Sequence, residues 1–153
     1  YFETNGYCTS WKGKSWVISP QVIQQVYTGY FGEQVFKAIL ENAACNVGSL
    51  PEKIWERADW VVNDKLYVDV KFMSDSDFNQ HVNAQSWEQK IRECGGSYIV
   101  VNVPRYAGNY SFTHTIQLEG GANLPIINGL IDVETGAILD KNVQAVLEKL
   151  NIV

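Results

Sequence analysis

Asp69 and Lys71 are the side chains whose types and spacing most directly suggest chemistry. They lie in the apolar segment 67–72. Because side chains alternate between the faces of a strand, Asp69 and Lys71 would share one face and the flanking valines the other. Packing alone does not call for a carboxylate beside an ammonium group there. Magnesium-dependent cleavage of a phosphodiester uses both, since carboxylate oxygens bind the metal and a cation offsets charge on the phosphate.

The elements that must position this pair are predicted from hydrophobic periodicity and from capping signals. In chain order, we expect a helix over 19–44, strands over 54–62 and 66–72, one helix through 82–91, and a strand over 97–103. Serine followed by proline starts the first helix, and Gly95 ends the second. The 54–62 and 66–72 strands would form a hairpin, with Asp59 across from Asp69 or one pair away.

The two ends of the chain are expected to add to this core. Residues 1–18 read as an irregular arm or short strand, and a strand is expected near Tyr110–Leu118. A loop-rich segment then passes through Pro125, and Asp140 caps a last helix ending at Leu150. Strands that alternate with helices favour an α/β fold with a mixed sheet flanked by helices. We expect one domain over 1–153, and the initial tyrosine suggests a processed chain or a domain of a longer one.

Six positions together resemble the PD-(D/E)XK nuclease superfamily, which has a restriction-endonuclease-like fold. The superfamily core runs helix, three strands, helix, strand, and the resemblance covers about 19–103. The matching residues are Gly32-Glu33 in the first helix, Asp59, and Asp69-Val70-Lys71. Ala58 stands where the family's motif name has proline.

The resemblance implies a metal site and a mechanism. Glu33, Asp59 and Asp69 would be carboxylate ligands, and the carbonyl oxygen of Val70 would complete the set. The metal would be Mg²⁺, with Mn²⁺ as a substitute, because these ions prefer oxygen ligands. Lys71 would orient the attacking water and offset phosphate charge. Beside carboxylates it would stay protonated, so positioning is favoured over a free general base.

Three further residues are supporting candidates. Glu56 competes with Asp59 as a ligand, but three residues apart on a strand the two would face opposite ways. Gln85 and Lys90 lie on the predicted second helix, where related nucleases place polar groups toward the site. A solvated helix face is the more common explanation for both.

Bulk composition restricts the partners and the location. The formal net charge of −5 argues weakly against nucleic acid, although a carboxylate site is itself acidic. Cys8, Cys45 and Cys94 have no spacing that builds a zinc site, and are expected to be reduced, as in an intracellular protein. No apolar run is long enough for a membrane span and no leader segment is recognisable, so we expect a cytoplasmic location, or delivery into a target cell's cytoplasm for a toxin.

These observations favour a metal-dependent endonuclease acting on DNA rather than RNA. Three alternatives stay open at this point. The domain could be a catalytically inactive nuclease-like binding or assembly module, working beside other domains of a longer chain. It could be an RNA-cleaving toxin domain neutralised by an immunity protein. It could also be an unrelated α/β binding domain in which Asp69 and Lys71 form a surface ion pair.

Overall fold

The computed structural model describes residues 8–11 and 15–150. Two antiparallel strands, β1 (Cys8–Trp11) and β2 (Ser15–Ile18), form a small sheet of their own within the predicted N-terminal arm. The rest of that arm and residues 151–153 lie outside the description.

Six further strands form one mixed sheet, and helices cover it. The strands are β3 (Val47–Gly48), β4 (Trp60–Val62), β5 (Leu66–Lys71), β6 (Ser97–Arg105), β7 (Phe112–Gln117) and β8 (Asn123–Asp132). The helices are α1 (Pro20–Asn42), α2 (Asp75–Ala84), α3 (Trp87–Cys94) and α4 (Asp140–Lys149). The sheet order is β3-β4-β5-β6-β8-β7, with β5, β6 and β8 parallel and the other pairs antiparallel. The predicted α/β class with a mixed, helix-flanked sheet is confirmed.

Two apolar clusters hold the layers together. One packs α1 and α4 against the sheet and is centred on fully buried side chains such as Phe36, Val68 and Val101. The other packs α2 and α3 around Phe78 and Trp87. Removing this much apolar surface from water is the main stabilising term for the fold. The active-site candidates on β5 therefore belong to a strand that is covered on both faces.

The predicted strand over 54–62 is wrong over most of its length. Its first part is a 3₁₀ helix, Glu52–Ile54, followed by a turn, and β4 begins only at Trp60. Proline at position 51 and alternating charges favour a tight turn over a ladder. Arg57 in that turn pairs with Glu93 of α3. Glu56 is consequently not on a strand, so the alternation argument that set it opposite Asp59 does not apply.

Two other elements differ from the sequence prediction. The single helix expected through 82–91 is two helices, because the indole N–H of Trp87 donates to the Val82 carbonyl at 2.9 Å across the break. The loop-rich segment through Pro125 is strand β8. A proline is tolerated there because pairing of β8 with β6 begins at the next residue, Ile126. In addition, Leu139 rather than Asp140 is the N-cap of α4.

Two glycines of α1 are expected to respond oppositely to alanine. The helix is continuous through both, but a Cβ at buried Gly32 would lie 2.8 Å from Cβ of Phe72, whereas one at Gly29 would meet nothing within 4 Å. Gly32→Ala should therefore lower the free energy of unfolding by about 1–3 kcal/mol through overpacking. Gly29→Ala should raise it by up to about 1 kcal/mol through helix propensity. Urea denaturation of the two variants measures this, and equal effects would contradict the packing.

Candidate active site

Asp69 and Lys71 lie side by side on β5, as the alternation of the strand predicts. Asp69 is 3% exposed. Its Oδ1 forms an ion pair with Nζ of Lys71, and its Oδ2 accepts a hydrogen bond at 3.0 Å from Nζ of Lys90 on α3. A carboxylate between two ammonium groups inside the fold is not an exposed ion pair. This observation counts against the alternative in which the two residues decorate a surface strand.

Asp59 is held against the same strand by its backbone and its side chain. Its N–H donates to the carbonyl of Val68 at 2.9 Å, and its Oδ2 accepts from the N–H of Val70 at 2.6 Å. Since Trp60 pairs with Val68, the antiparallel register places Asp59 across from Asp69. The hairpin geometry expected from the sequence therefore holds at Asp59, although regular β4 starts one residue later.

Glu33 reaches the site from the middle of α1. The indole N–H of Trp60 donates to the Glu33 carbonyl oxygen at 3.2 Å, which ties the helix to β4 at this level. Two cavities of about 550 and 680 Å³ both include Glu33, Asp59 and Lys71 in their linings. The two cavities therefore adjoin at these three side chains, which are far apart in the sequence. We refer to the two cavities together as the groove.

The electrostatics of Glu33 and Asp59 show that the groove has an excess of negative charge. Burial, and then the neighbouring carboxylate of Asp59, raise the pKa of Glu33 to about 7. Burial and the carboxylate of Asp69 raise the pKa of Asp59, against opposing effects from Lys71 and the Val70 N–H. Carboxyl groups with raised pKa values in a groove are typical of functional sites. Both groups would ionise more readily if a cation were bound beside them.

Asp69 and Lys71 are shifted in the opposite sense, toward their charged forms. Burial alone would raise the pKa of Asp69, but the ammonium groups of Lys71 and Lys90 hold it below its usual value. Burial would lower the pKa of Lys71, yet the carboxylates of Asp69 and Asp59 raise it. Lys71 is thus a protonated group near neutral pH. Its chemistry is that of a positive charge and a hydrogen-bond donor.

Glu33→Gln should stabilise the metal-free protein, and more so at higher pH. Glu33 carries a raised pKa of about 7 against an ordinary 4.5, so between these values the folded state binds a proton that the unfolded state has lost. The contribution of Glu33 to stability therefore falls as pH rises through that window. Because Glu33 is partly exposed and screened, we expect a gain of about 1 kcal/mol for the variant at pH 8, and little at pH 5.

Urea denaturation in the presence of EDTA at pH 5 and pH 8 measures this difference. Glu41→Gln, which removes an exposed carboxylate of the same helix, corrects for the general effect of one lost charge. If the difference in the free energy of unfolding between wild type and Glu33→Gln is the same at both pH values, the pKa of Glu33 is not raised in the folded protein.

Tyr98 is a contributor that the sequence did not reveal. Its hydroxyl lies 3.3 Å from Oδ2 of Asp69 and also contacts the carbonyl oxygen of Arg57. With one proton it donates to one acceptor at a time. Burial and the charge of Asp69 raise its pKa, so it is a neutral donor. Its only sequence signal was its place at the start of an apolar strand, next to the glycines that end α3.

Buried asparagines form a second support that sequence reasoning missed. The amide of Asn102 donates to the Met73 carbonyl at 2.9 Å and accepts from the Met73 N–H at 3.0 Å. It also donates to Oδ1 of Asn128 at 2.8 Å, and Asn128 donates in turn to Asp75. This chain fixes the segment that follows Lys71. An asparagine inside an apolar strand, as Asn102 is, was the signal that could have found it, because a buried amide needs partners.

The three supporting candidates fall in different places. Lys90 reaches the site through Asp69, as described above. Glu56 is exposed in the turn before β4 and lines the 550 Å³ cavity. Gln85 lies between α2 and α3 and lines a separate cavity next to β7, so the structure does not bring it to the groove. The break between the two helices, which the sequence prediction lacked, is what turns Gln85 away.

The candidate ligands of the groove are of the chemical type that a hard metal ion prefers, but they are not arranged around a common point. Glu33, Asp59 and Asp69 offer only oxygen atoms, but Oδ1 of Asp69 is already engaged by the ammonium group of Lys71. Within residues 8–11 and 15–150 no three carboxylate, imidazole or thiolate groups lie close enough together to hold a metal. A metal ion would have to draw the carboxylates together and compete with Lys71 for Asp69.

Comparisons with known proteins do not assign the chain to a family. No protein-family model matches the sequence, and no curated protein matches it significantly. In the part of the chain that the structure describes, no helix combines the length and apolar character needed to cross a membrane. Functional inference therefore rests on the groove itself.

Proposed function

We propose that this protein is a metal-dependent nuclease with a restriction-endonuclease-like core, which hydrolyses phosphodiester bonds in nucleic acid, with DNA favoured. One observation carries the proposal. Glu33 of α1, Asp59 just before β4, and Asp69 and Lys71 of β5 meet at one groove in which two carboxyl groups have raised pKa values. Buried charge at this density costs stability and has no role in packing.

The arrangement of the elements supports the same proposal. In chain order, α1 is followed by β3, β4 and β5, by the helical crossover α2–α3, and by β6. The crossover returns β6 parallel to β5, while β3, β4 and β5 are antiparallel neighbours. This is the order of helix, three strands, helix and strand that the nuclease superfamily shares. Fold likeness alone does not establish activity, so the residues of the groove carry the functional argument.

The protein's own residues would divide the work as follows. Lys71 places a permanent positive charge and donor hydrogens where the attacked phosphate becomes most negative, and there it would also orient the water. Lys90 holds Asp69 in place by donating to Oδ2, and the Tyr98 hydroxyl, which is closer to the Arg57 carbonyl, lies within hydrogen-bond distance of the same oxygen. The N–H of Val70 fixes Asp59 in the same way. A side chain fixed before substrate arrives needs no reorganisation during the reaction.

The metal in this proposal is Mg²⁺, with Mn²⁺ as a substitute. The carboxylates of Glu33, Asp59 and Asp69 and the carbonyl oxygen of Val70 would hold it. When bound, such an ion activates a water molecule and polarises the phosphate. Because the pKa of Glu33 is about 7 without metal, binding would release a proton from it near neutral pH. We place the activity in the cytoplasm, including that of a target cell.

The test is cleavage by the purified protein. Plasmid DNA, single-stranded DNA and RNA are each incubated with Mg²⁺, Mn²⁺ or EDTA, and products are resolved on denaturing gels. The proposal expects products with either metal and none with EDTA. Cleavage of RNA alone would support the toxin alternative and a search for an immunity partner. Absence of cleavage in every arm, in a folded protein, would overturn the proposal in favour of an inactive binding module.

A further inference from the structure

Trp55 is an exposed aromatic side chain at the edge of the candidate active site. It lies in the turn before β4, is 59% exposed, and lines the same 550 Å³ cavity as Asp59, Asp69 and Lys71. It belongs to neither apolar cluster of the core. Leaving most of an indole in water forgoes the stabilisation that its burial would provide. This position therefore calls for an explanation other than packing.

The charges of the groove indicate what could bind beside Trp55. Among the described residues that line its two cavities, the cations are Lys71 and Lys90, and both contact Asp69. The carboxylates that line the two cavities are Glu33, Glu56, Asp59, Asp69 and Asp77. Firm binding of duplex DNA relies on many Lys and Arg contacts to phosphates, which this lining does not supply. Affinity for nucleic acid in the groove must come from another interaction.

The groove also includes a second cavity, which shares Glu33, Asp59 and Lys71 with the cavity beside Trp55 but is not lined by Trp55. Its 680 Å³ part is lined by uncharged polar residues of α1, Gln21, Gln24, Gln25 and Thr28, and by Phe72 beside Lys71. A nucleic-acid strand that lies over Glu33 and Lys71 would therefore border both cavities. Amide and hydroxyl groups can hydrogen-bond to base edges that are not engaged in pairing.

We propose that Trp55 stacks on an unpaired nucleobase next to the cleaved phosphate, so that the substrate is a single strand or a locally unpaired region. The inference rests on the proposed nuclease function and names its substrate class. Single-strand binders combine cationic contacts to the backbone with stacking of bases on aromatic side chains, and stacking tolerates any base. With only Lys71 and Lys90 as cations in the lining, stacking would have to supply much of the affinity. Bases of an intact duplex are already stacked and do not offer a free face to Trp55.

Binding measured apart from cleavage tests this inference. Fluorescence anisotropy compares a labelled single-stranded oligonucleotide with its duplex, with Ca²⁺ in place of Mg²⁺ so that the probe stays intact. Trp55→Ala should weaken single-strand binding by about 10- to 100-fold and leave duplex binding unchanged. Trp55→Phe keeps an aromatic ring and should retain most of the affinity. Tyr110→Ala, which removes a 78% exposed ring that lines neither cavity, is the matched control.

The outcomes separate failure of this inference from failure of the proposed function. Equal affinity of Trp55→Ala and wild type for the single strand, or an equal loss for the duplex, would overturn the stacking role while wild-type cleavage persists. If the wild type neither binds nor cuts any probe, the nuclease proposal and this inference both fail. Circular dichroism and the melting temperature check that Trp55→Ala is folded.

Discussion

Replacing Lys71 with methionine is expected to lower metal-dependent cleavage by about 10²- to 10³-fold, which is the usual loss when one preorganised electrostatic group is removed. The ammonium group is held in the groove by Asp69 and is kept protonated by Asp69 and Asp59. Methionine keeps much of the length of the chain and removes the charge. Single-turnover cleavage at saturating Mg²⁺ reports the loss directly, because product release does not mask it.

Lys37→Met is the matched control for that experiment. Lys37 lies one turn beyond Glu33 on α1, with its Nζ 5.0 Å from the ring of Trp60 and 3.8 Å from Oε1 of Glu41. It lines neither cavity of the groove. Its removal should leave the rate close to that of the wild type. A Lys71→Met protein that cuts within a factor of two of Lys37→Met would remove Lys71 from the mechanism.

Asp69→Asn is expected to cause the largest loss of stability, about 3–5 kcal/mol, because it leaves the charges of Lys71 and Lys90 without their shared partner. The two lysine side chains are only 21% and 23% exposed, so water compensates them incompletely. Asparagine preserves the shape of the side chain, which confines the effect to charge. Urea denaturation of the metal-free protein measures it.

An exposed ion pair provides the comparison for Asp69→Asn. Glu41→Gln breaks the pair with Lys37 on the surface of α1, and should cost no more than about 0.5 kcal/mol. If Asp69→Asn costs as little, the two lysines find other partners or water. In that case Asp69 would not be the carboxylate on which the stability of both partly buried lysines depends. A double variant, Asp69→Asn with Lys71→Met, should recover part of the loss.

Local patterns in the sequence were sufficient for the elements that depend on neighbouring residues. Ser19 before Pro20 predicted the start of α1, and the Ser19 hydroxyl does accept from the Val22 N–H at 3.3 Å. Alternation along β5 predicted that Asp69 and Lys71 share a face, which the ion pair between them shows. These features depend on backbone geometry over a few residues, so no distant contact is needed to produce them.

The prediction failed where distant contacts decide the local structure. Strand β8 was missed because Pro125 and Gly129 weaken its intrinsic preference, while pairing with β6 and β7 on both sides compensates. The segment before β4 is a 3₁₀ helix and a turn rather than the predicted strand. Contacts such as that of Arg57 with Glu93 of α3 become visible only in the fold.

For the candidate site, the kinds of groups and the strand that carries two of them follow from local sequence patterns. Folding of the chain is what buries Asp69 between two ammonium groups, brings Glu33 of α1 into one groove with Asp59, and leaves Gln85 at a different cavity. It also set Trp55 at the edge of that groove. The reason is physical: burial, charge pairing and pKa shifts depend on distances in space between residues far apart in the chain, and no local pattern contains those distances.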